Sequence, residues 1–548
     1  MNNKTISTHQ LNIFTVCLLL LSMNLGIAQT VYQPISFQYD QNYNQYLYSV
    51  ASKEHTALRP LLITDSFAIA HYDSIKKISL GNITYNANGN CSDHHFFKRH
   101  LIDIKKEASS FYSDIMPDIS GGINLNGSKN TGITSLGLQL GGTVSNKFAY
   151  NLTAFQNSEV VPEYLNTYIQ QTGVIPGQAL ATNNGFNSYS WTYFTALASY
   201  TPNKYLNIAL GKDKNFIGDG YRSLLLSDCA SPYWFFKLTG TLGSVKYMSM
   251  WTYMNDPATT NPYHIDRHKF GVFHYIDWSA TNRLSIGAFE NIIGYYTDDN
   301  GAKRPFDFYY INPIILMKPI NNSSADPDKS LVGLTTKYKL SSHNTAYFQF
   351  ALNEFNSKDL FPDNGSYANK YGYQLGLRGN KMFNVDGLSY LVEANTVKPF
   401  TYSARSTIEN YSENSEPLAH PWGGNFKELV GHLNYIHKKW SISLETDYGK
   451  YGLDSNALNY GKNIFNIYSI HAKDYGNTIG QGLGTTMLFV DARVSYLLNP
   501  LYNLRIEMGV TYREEKNTAF DDKTCLFTFG LRSTFRNIYR DLASFEKH

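Results

Sequence analysis

The sequence predicts an all-β protein, an 18-stranded antiparallel transmembrane β-barrel preceded by a small, partly helical N-terminal region. Three observations predict it. Apolar and polar residues alternate at period two over many segments of about ten residues, which leaves one face for an apolar surrounding and the other for water or polar groups. The segments come in pairs joined by short turns, and the pairs are separated by long polar loops, the pattern a membrane barrel requires. Composition agrees: 17% of residues are charged, 15% are aromatic, glycines number 40 and mean hydropathy is −0.33 in 548 residues. An apolar outside around a wet inside produces that mixture. No stretch after the first 28 residues approaches 18 continuous apolar residues, so a membrane-spanning helix is excluded.

The N-terminus reads as a secretory signal over residues 1–28. Lys4 precedes an apolar run from Ile13 to Leu21, and Gly26-Ile27-Ala28 supplies small residues for cleavage before Gln29. The formal charge is +3, falling to +2 once Lys4 is removed, and no basic run is present. Nucleic acid is therefore excluded as a partner. Cys91, Cys229 and Cys525 remain in the exported chain. An odd count leaves at least one thiol unpaired, and no structural disulfide is expected.

Residues 29–117 differ from the rest of the exported chain. In FFKRHLIDIKKEASSFYSDI, Leu101, Ile104, Ala108 and Phe111 fall at helical spacing, and Pro117 would end that helix. This stretch is expected as a small periplasmic domain at the barrel mouth, with the barrel filling 118–548.

Strand pairs begin at Asp118. Short connections fall near Ser145–Lys147, Thr201–Lys204, Thr241–Ser244, Ser279–Arg283, Leu340–Asn344, Met382–Gly387, His437–Trp440 and Asn499–Tyr502. Eight longer loops and a short first one near Gly127–Asn130 alternate with these eight turns, which makes eighteen strands. An even number returns the last strand to the side of the first, so both termini are expected in the periplasm, with the long loops outside the cell. LRIEMGVTYR shows the pattern most cleanly, setting Ile506, Met508, Val510 and Tyr512 against Arg505, Glu507, Gly509, Thr511 and Arg513. WSISLETDY likewise sets Trp440, Ile442, Leu444 and Tyr448 against Ser441, Ser443, Glu445 and Asp447. Charges of both signs line the lumen, which a soluble sandwich does not need. The last strand, CLFTFGLRSTF, places Phe527, Phe529, Leu531 and Phe535 on one face.

Several phrases resemble the Wzi-like capsule-assembly family, and within it the RemB-like gliding-motility branch. They are GKDKNFIGDGYRSLLLSD (211–228), FYYINPIILMKPI (308–320), LNEF (352–355), NKYGYQLGLRG (369–379) and EPLAHPWGGNFKE (416–428). The resemblance runs from about Phe97 to the C-terminus. It implies an eighteen-stranded barrel in the outer membrane of a Gram-negative bacterium, binding capsular or other surface polysaccharide. The gliding branch would add partners in a motility or secretion machine. Asn353 stands where the family pattern suggests Asp, and Lys398 where it suggests Arg. Both departures bear on ligand specificity and leave the fold untouched.

The candidate ligand-binding residues are Asp219, Tyr221, Arg222, Glu354, His420 and Trp422. In the first loop, Arg222 and Asp219 offer charge-assisted hydrogen bonds to an anionic sugar. Both readings fold the loop into the barrel mouth; the competing one makes it a structural constriction, with Arg222 paired to a lumen carboxylate such as Glu290 or Glu354, because a buried charge needs a partner. Trp422 and His420, in a loop expected to be exposed, either present an aromatic face to a sugar or anchor the rim in lipid. Cys91, His94, His95 and His100 match no standard zinc spacing, and Asp298–Gly301 reads as a turn. No nucleophile elbow or carboxylate pair appears, so neither a cofactor nor enzyme activity is expected. The alternative function is a porin-like channel, since eighteen strands enclose enough room for an aqueous lumen.

Overall fold

Eighteen antiparallel strands close into a ring in this computed structural model, which describes residues 32–62 and 99–544 apart from 107, 128, 146, 257–266, 298–302, 305–307, 317–328 and 355–363. The first six wall strands are β1 (Ser109–Asn124), β2 (Thr131–Val144), β3 (Phe148–Val160), β4 (Ser188–Asn203), β5 (Leu206–Asp213) and β6 (Tyr233–Leu242). The next six are β7 (Val245–Asn255), β8 (His268–Ser279), β9 (Leu284–Tyr295), β10 (Lys329–Lys339), β11 (Asn344–Glu354) and β12 (Lys370–Asn380). The last six are β13 (Leu388–Val397), β14 (Phe426–His437), β15 (Trp440–Leu453), β16 (Leu483–Asn499), β17 (Leu504–Lys516) and β18 (Asp521–Ser533). Each pairs with its neighbour in sequence, and β18 returns to β1. That closing seam is short: six residue pairs join β18 to β1, whereas β17–β18 and β1–β2 each have thirteen.

The outside of the ring is apolar, with Leu334, Leu375, Leu429, Ile442 and Val510 exposed along it. Aromatic side chains, about half exposed, flank that band: Trp278, Tyr338 and Trp440 near the turns, Trp234, Tyr253 and Tyr448 near the loops. Two such girdles are what the interfaces of a bilayer select. Inward positions carry buried charges such as Lys237, Lys337, Arg378, Glu393, Glu428, Asp447 and Asp491.

The expected helix near 97–116 does not form. Ile102–Lys106 is a short exposed strand hydrogen-bonded to Ser109–Ser113, so β1 begins nine residues before the expected boundary at 118. Pro117 lies inside β1, opposite Leu136 of β2, just beyond the point where β18 leaves the ladder at Ile119. A residue without an N–H is tolerated there because its other flank has no strand partner.

Several chain segments fold into the lumen. Residues 32–62, expected at the barrel mouth, lie within the ring near the turn end; they include the one-turn helices α1 (Phe37–Asp40) and α2 (Asn44–Leu47). Tyr32 donates to Asn207 of β5 at 2.7 Å, His55 pairs with Asp277 of β8 at 2.9 Å, and Tyr48 accepts from Arg378 of β12 at 2.9 Å. The loop after β3 contains α3 (Glu163–Thr172), which the sequence did not announce. Its Tyr164, Leu165, Tyr168 and Ile169 are buried in one cluster with Tyr189, Trp191 and Tyr193 of β4. The tail beyond β18 also turns inward. Phe535 therefore leaves the outward face of Phe527 and Phe529 and packs edge-on against Tyr39, with ring centroids 5.2 Å apart. By Ser544 the tail has reached Glu515 near the loop end of β17.

Candidate functional site

The loop between β5 and β6 descends into the lumen and organises it. Leu58–Arg59 of the N-terminal segment forms a two-residue ladder with Phe216–Ile217, and the Gly218 N–H donates to Ala57 O at 2.7 Å. Leu224, Leu225 and Leu226 are fully buried and place an apolar centre inside the barrel. Wall side chains hold the loop's backbone. Gln349 donates to Ile217 O at 3.0 Å, and both carboxylate oxygens of Glu393 accept from the N–H groups of Tyr221 and Arg222, at 3.0 and 3.1 Å. Gly220 is required by this clasp, because a Cβ there would collide with Glu393 Oε2.

Arg222 is the centre of a buried polar node. Its guanidinium reaches Glu428 Oε1 at 3.1 Å, Asp447 Oδ2 at 3.3 Å and Asp541 Oδ2 of the tail. The expected inward fold of the loop is right; the expected partners, Glu290 and Glu354, are not the ones used. Tyr221 lies under Arg222, with the guanidinium carbon 4.7 Å from its ring centroid, and donates to Glu445 at 3.0 Å. Asp219 faces the N-terminal segment. It accepts from Tyr48 at 2.9 Å and from Thr56, and Lys337 stands 3.8 Å away. Burial works against this carboxylate, but Lys337, Thr56 and Arg59 outweigh it and hold its pKa below the usual value.

His420 and Trp422 join the same node from the loop between β13 and β14. His420 Nε2 meets Glu428 Oε2 at 2.7 Å, and Trp422 Nε1 donates to Asp541 O at 2.9 Å. Both are fully buried. Trp422 packs edge-on against Phe426 and Tyr451, so it is neither a rim anchor nor a platform facing outside. Burial depresses the basicity of His420 despite the Glu428 carboxylate beside it.

Glu354 stands apart from these five. It lies at the loop end of β11, paired with Lys370 at 2.6 Å, its side chain about one-third exposed. Nearby, the rings of Tyr367 and His471 stack at 3.9 Å, and Arg405 donates to Tyr468 at 2.8 Å. Ile470 and Tyr475 are exposed beyond them, at 65% and 57%.

The sequence reading missed Glu428, Glu393, Asp447 and Asp541 as partners of the node. Period two in residues 426–437 does put Glu428, Val430 and His432 on one face, but nothing periodic marks Asp541. Of the metal candidates, Cys91, His94 and His95 lie outside the described residues, as do the signal segment and Asp298–Gly301, while His100 pairs with Asp114 at 2.6 Å. Cys229 and Cys525 are free thiols, and no metal-binding cluster occurs among the described residues.

A second buried group lies nearer the loop end. Glu416 accepts from the N–H groups of Gly177 and Ser231, at 2.6 and 2.8 Å, and Glu413 accepts from that of Asn255 at 2.8 Å. Burial dominates, pushing Glu416 up to about 7 and Glu413 up to about 8. Because the folded pKa values lie above the ordinary ones, this packing is fully favourable below about pH 4.5 and weakens as pH rises through 7 and 8. Limited proteolysis is expected to cut within 398–425 faster at pH 9 than at pH 5. Glu413→Gln with Glu416→Gln should flatten that difference, and equal rates in the parent protein would refute the assignment.

No known family profile matches this sequence, and no curated protein is similar to it. Solved structures are. Wzi of Escherichia coli, an outer-membrane protein involved in group 1 capsule assembly and a carbohydrate-binding β-barrel, superimposes with a TM-score of 0.53 at 12% identity. The match covers 92% of this chain and 99% of Wzi. This chain shares its fold with Wzi. OprD of Pseudomonas aeruginosa matches with a TM-score of 0.40 at 9% identity, over 77% of this chain and 93% of OprD. That likeness is too weak to bear on function.

Proposed function

We propose that the protein is a non-enzymatic outer-membrane barrel that binds and organises surface polysaccharide through its loop face, in support of capsule attachment or gliding motility. The observation that carries this reading is the occupied lumen. An N-terminal segment, an inward loop and the C-terminal tail meet at one buried ionic node, whereas a transport pore needs an aqueous path. The full-length likeness to a carbohydrate-binding barrel supports the same reading. With the long loops extracellular, the Tyr367–His471 stack, Tyr475 and Arg405 give that face aromatic surface beside hydrogen-bonding groups. A panel of immobilised surface polysaccharides is expected to capture the purified protein, and cells lacking it should retain less stained capsule or spread less on agar. Unchanged retention together with unchanged spreading would refute the proposal. Large, steady single-channel currents from the intact protein would favour a channel instead.

A further inference from the structure

A cavity of about 230 Å³ runs between the C-terminal tail and the wall formed by β14–β18, β1 and β2. Its lining includes none of Tyr367, Arg405, His471 and Tyr475. It falls below the roughly 300–1,000 Å³ of sites that enclose drug-sized ligands, and suits one sugar-sized ring rather than a length of polymer.

Its lining has the features a neutral, hydroxyl-rich ring requires. Five arginines face it against five carboxylates, and they are largely paired with one another: Arg493 reaches Asp491 at 2.5 Å and Glu507 at 3.0 Å, and Arg505 reaches Glu507 at 2.8 Å. A charged ligand would find no net field to favour it, but hydroxyl groups would meet charge-assisted donors and acceptors on several sides. Three aromatic rings form one corner: His432 lies 4.2 Å from Tyr221 and 4.5 Å from Phe37, centroid to centroid, and Tyr221 lies 4.9 Å from Phe37.

Two lining groups point to a ligand directly. His432 Nε2 and Asp541 Oδ1 have no hydrogen-bond partner, although the residues are only 7% and 1% exposed. Asp541 spends its other oxygen on Arg222. Buried polar atoms of this kind are ordinarily paired, and two hydroxyls of one sugar ring can donate, one to each.

We propose that this cavity binds a single neutral pyranose unit, its hydroxyls on His432, Asp541 and the arginine–carboxylate array, its carbon face toward Tyr221 and Phe37. The inference deepens the polysaccharide reading and rests on it for the source of the sugar. It adds an internal site that reads one unit, where the loop face would hold the chain.

The test uses the purified full-length protein in a detergent without a sugar headgroup. Saturation-transfer NMR with methyl glucoside, methyl galactoside and methyl mannoside is expected to show binding of at least one, in the millimolar range. Affinity should fall by at least about tenfold in His432→Phe and disappear in Ser443→Phe, which fills the cavity from β15 without touching the node. Lys473→Ala, on the loop face, should change nothing. Absence of transfer to all three glycosides, unchanged binding in Ser443→Phe, or preference for methyl glucuronoside would each overturn the site. Capture of polymer without binding of glycosides would overturn this inference alone, and binding of glycosides without capture of polymer would overturn only the loop-face reading.

Discussion

Arg222→Ala is expected to leave the wall intact and loosen its contents. Removing the guanidinium strands Glu428, Asp447 and Asp541 in a buried space where it is an ion-pair partner of all three. Breaking a buried ion pair from one side typically costs about 3–5 kcal/mol. The wall does not depend on this residue, because its ladders run from strand to neighbouring strand. The variant should therefore insert and keep heat-modifiable migration on gels, while 214–232 and the tail become protease-sensitive and polysaccharide binding falls. Arg222→Lys should restore little, since an ammonium lacks the planar fork that serves several carboxylates at once. A variant with a protease-resistant loop and full binding would show that the node does not hold the lumen together.

Truncation after Ser533 should have the larger effect on permeability. The tail contributes Arg536 to Asp118 at 3.2 Å, Tyr539 to Asp228 at 2.6 Å, Arg540 to Glu159 and Asp541 to Arg222. Deleting it removes two ties to the wall and two to the inward loop, and merges the space it occupies with the 230 Å³ cavity. Planar-bilayer recordings are expected to show little conductance from the intact protein and clear, frequent steps from the truncated one. Equal traces would mean that the N-terminal segment and loops close the barrel without the tail.

The wall was legible because its chemistry is periodic. Residues 504–513 and 440–448 each assign inside and outside by parity alone, and the structure keeps those assignments at Ile506, Met508 and Val510 as it does at Glu507 and Asp447. Residues 101–111 misled because two periods fit them: Leu101, Ile104, Ala108 and Phe111 suit a helix, while Ile102 and Ile104 suit the strand that forms. Loops carry no period. Nothing local distinguishes a Trp422 displayed at a rim from one buried against Tyr451, because the difference is made by Lys462, Asp541 and Tyr451 arriving from elsewhere in the chain. Arg222 was half legible: burial demanded a carboxylate, but only the ring's closure decides which carboxylates stand opposite it.

The contact between Arg222 and Asp541 joins residues 319 positions apart, and one partner lies almost at the end of the chain. Pairing of neighbouring strands is local by comparison, so it precedes contacts of such separation when a chain orders itself. The tail comes after the last strand and lies inside the ring that strand completes. Its final turn inward is therefore expected to come after the six-pair seam has formed, or together with it. Residues 534–544 thus occupy part of the interior, and a closed ring whose tail still hangs outside is expected to be a distinct, leakier species, separable from the finished protein by the accessibility of a cysteine placed at Ala543.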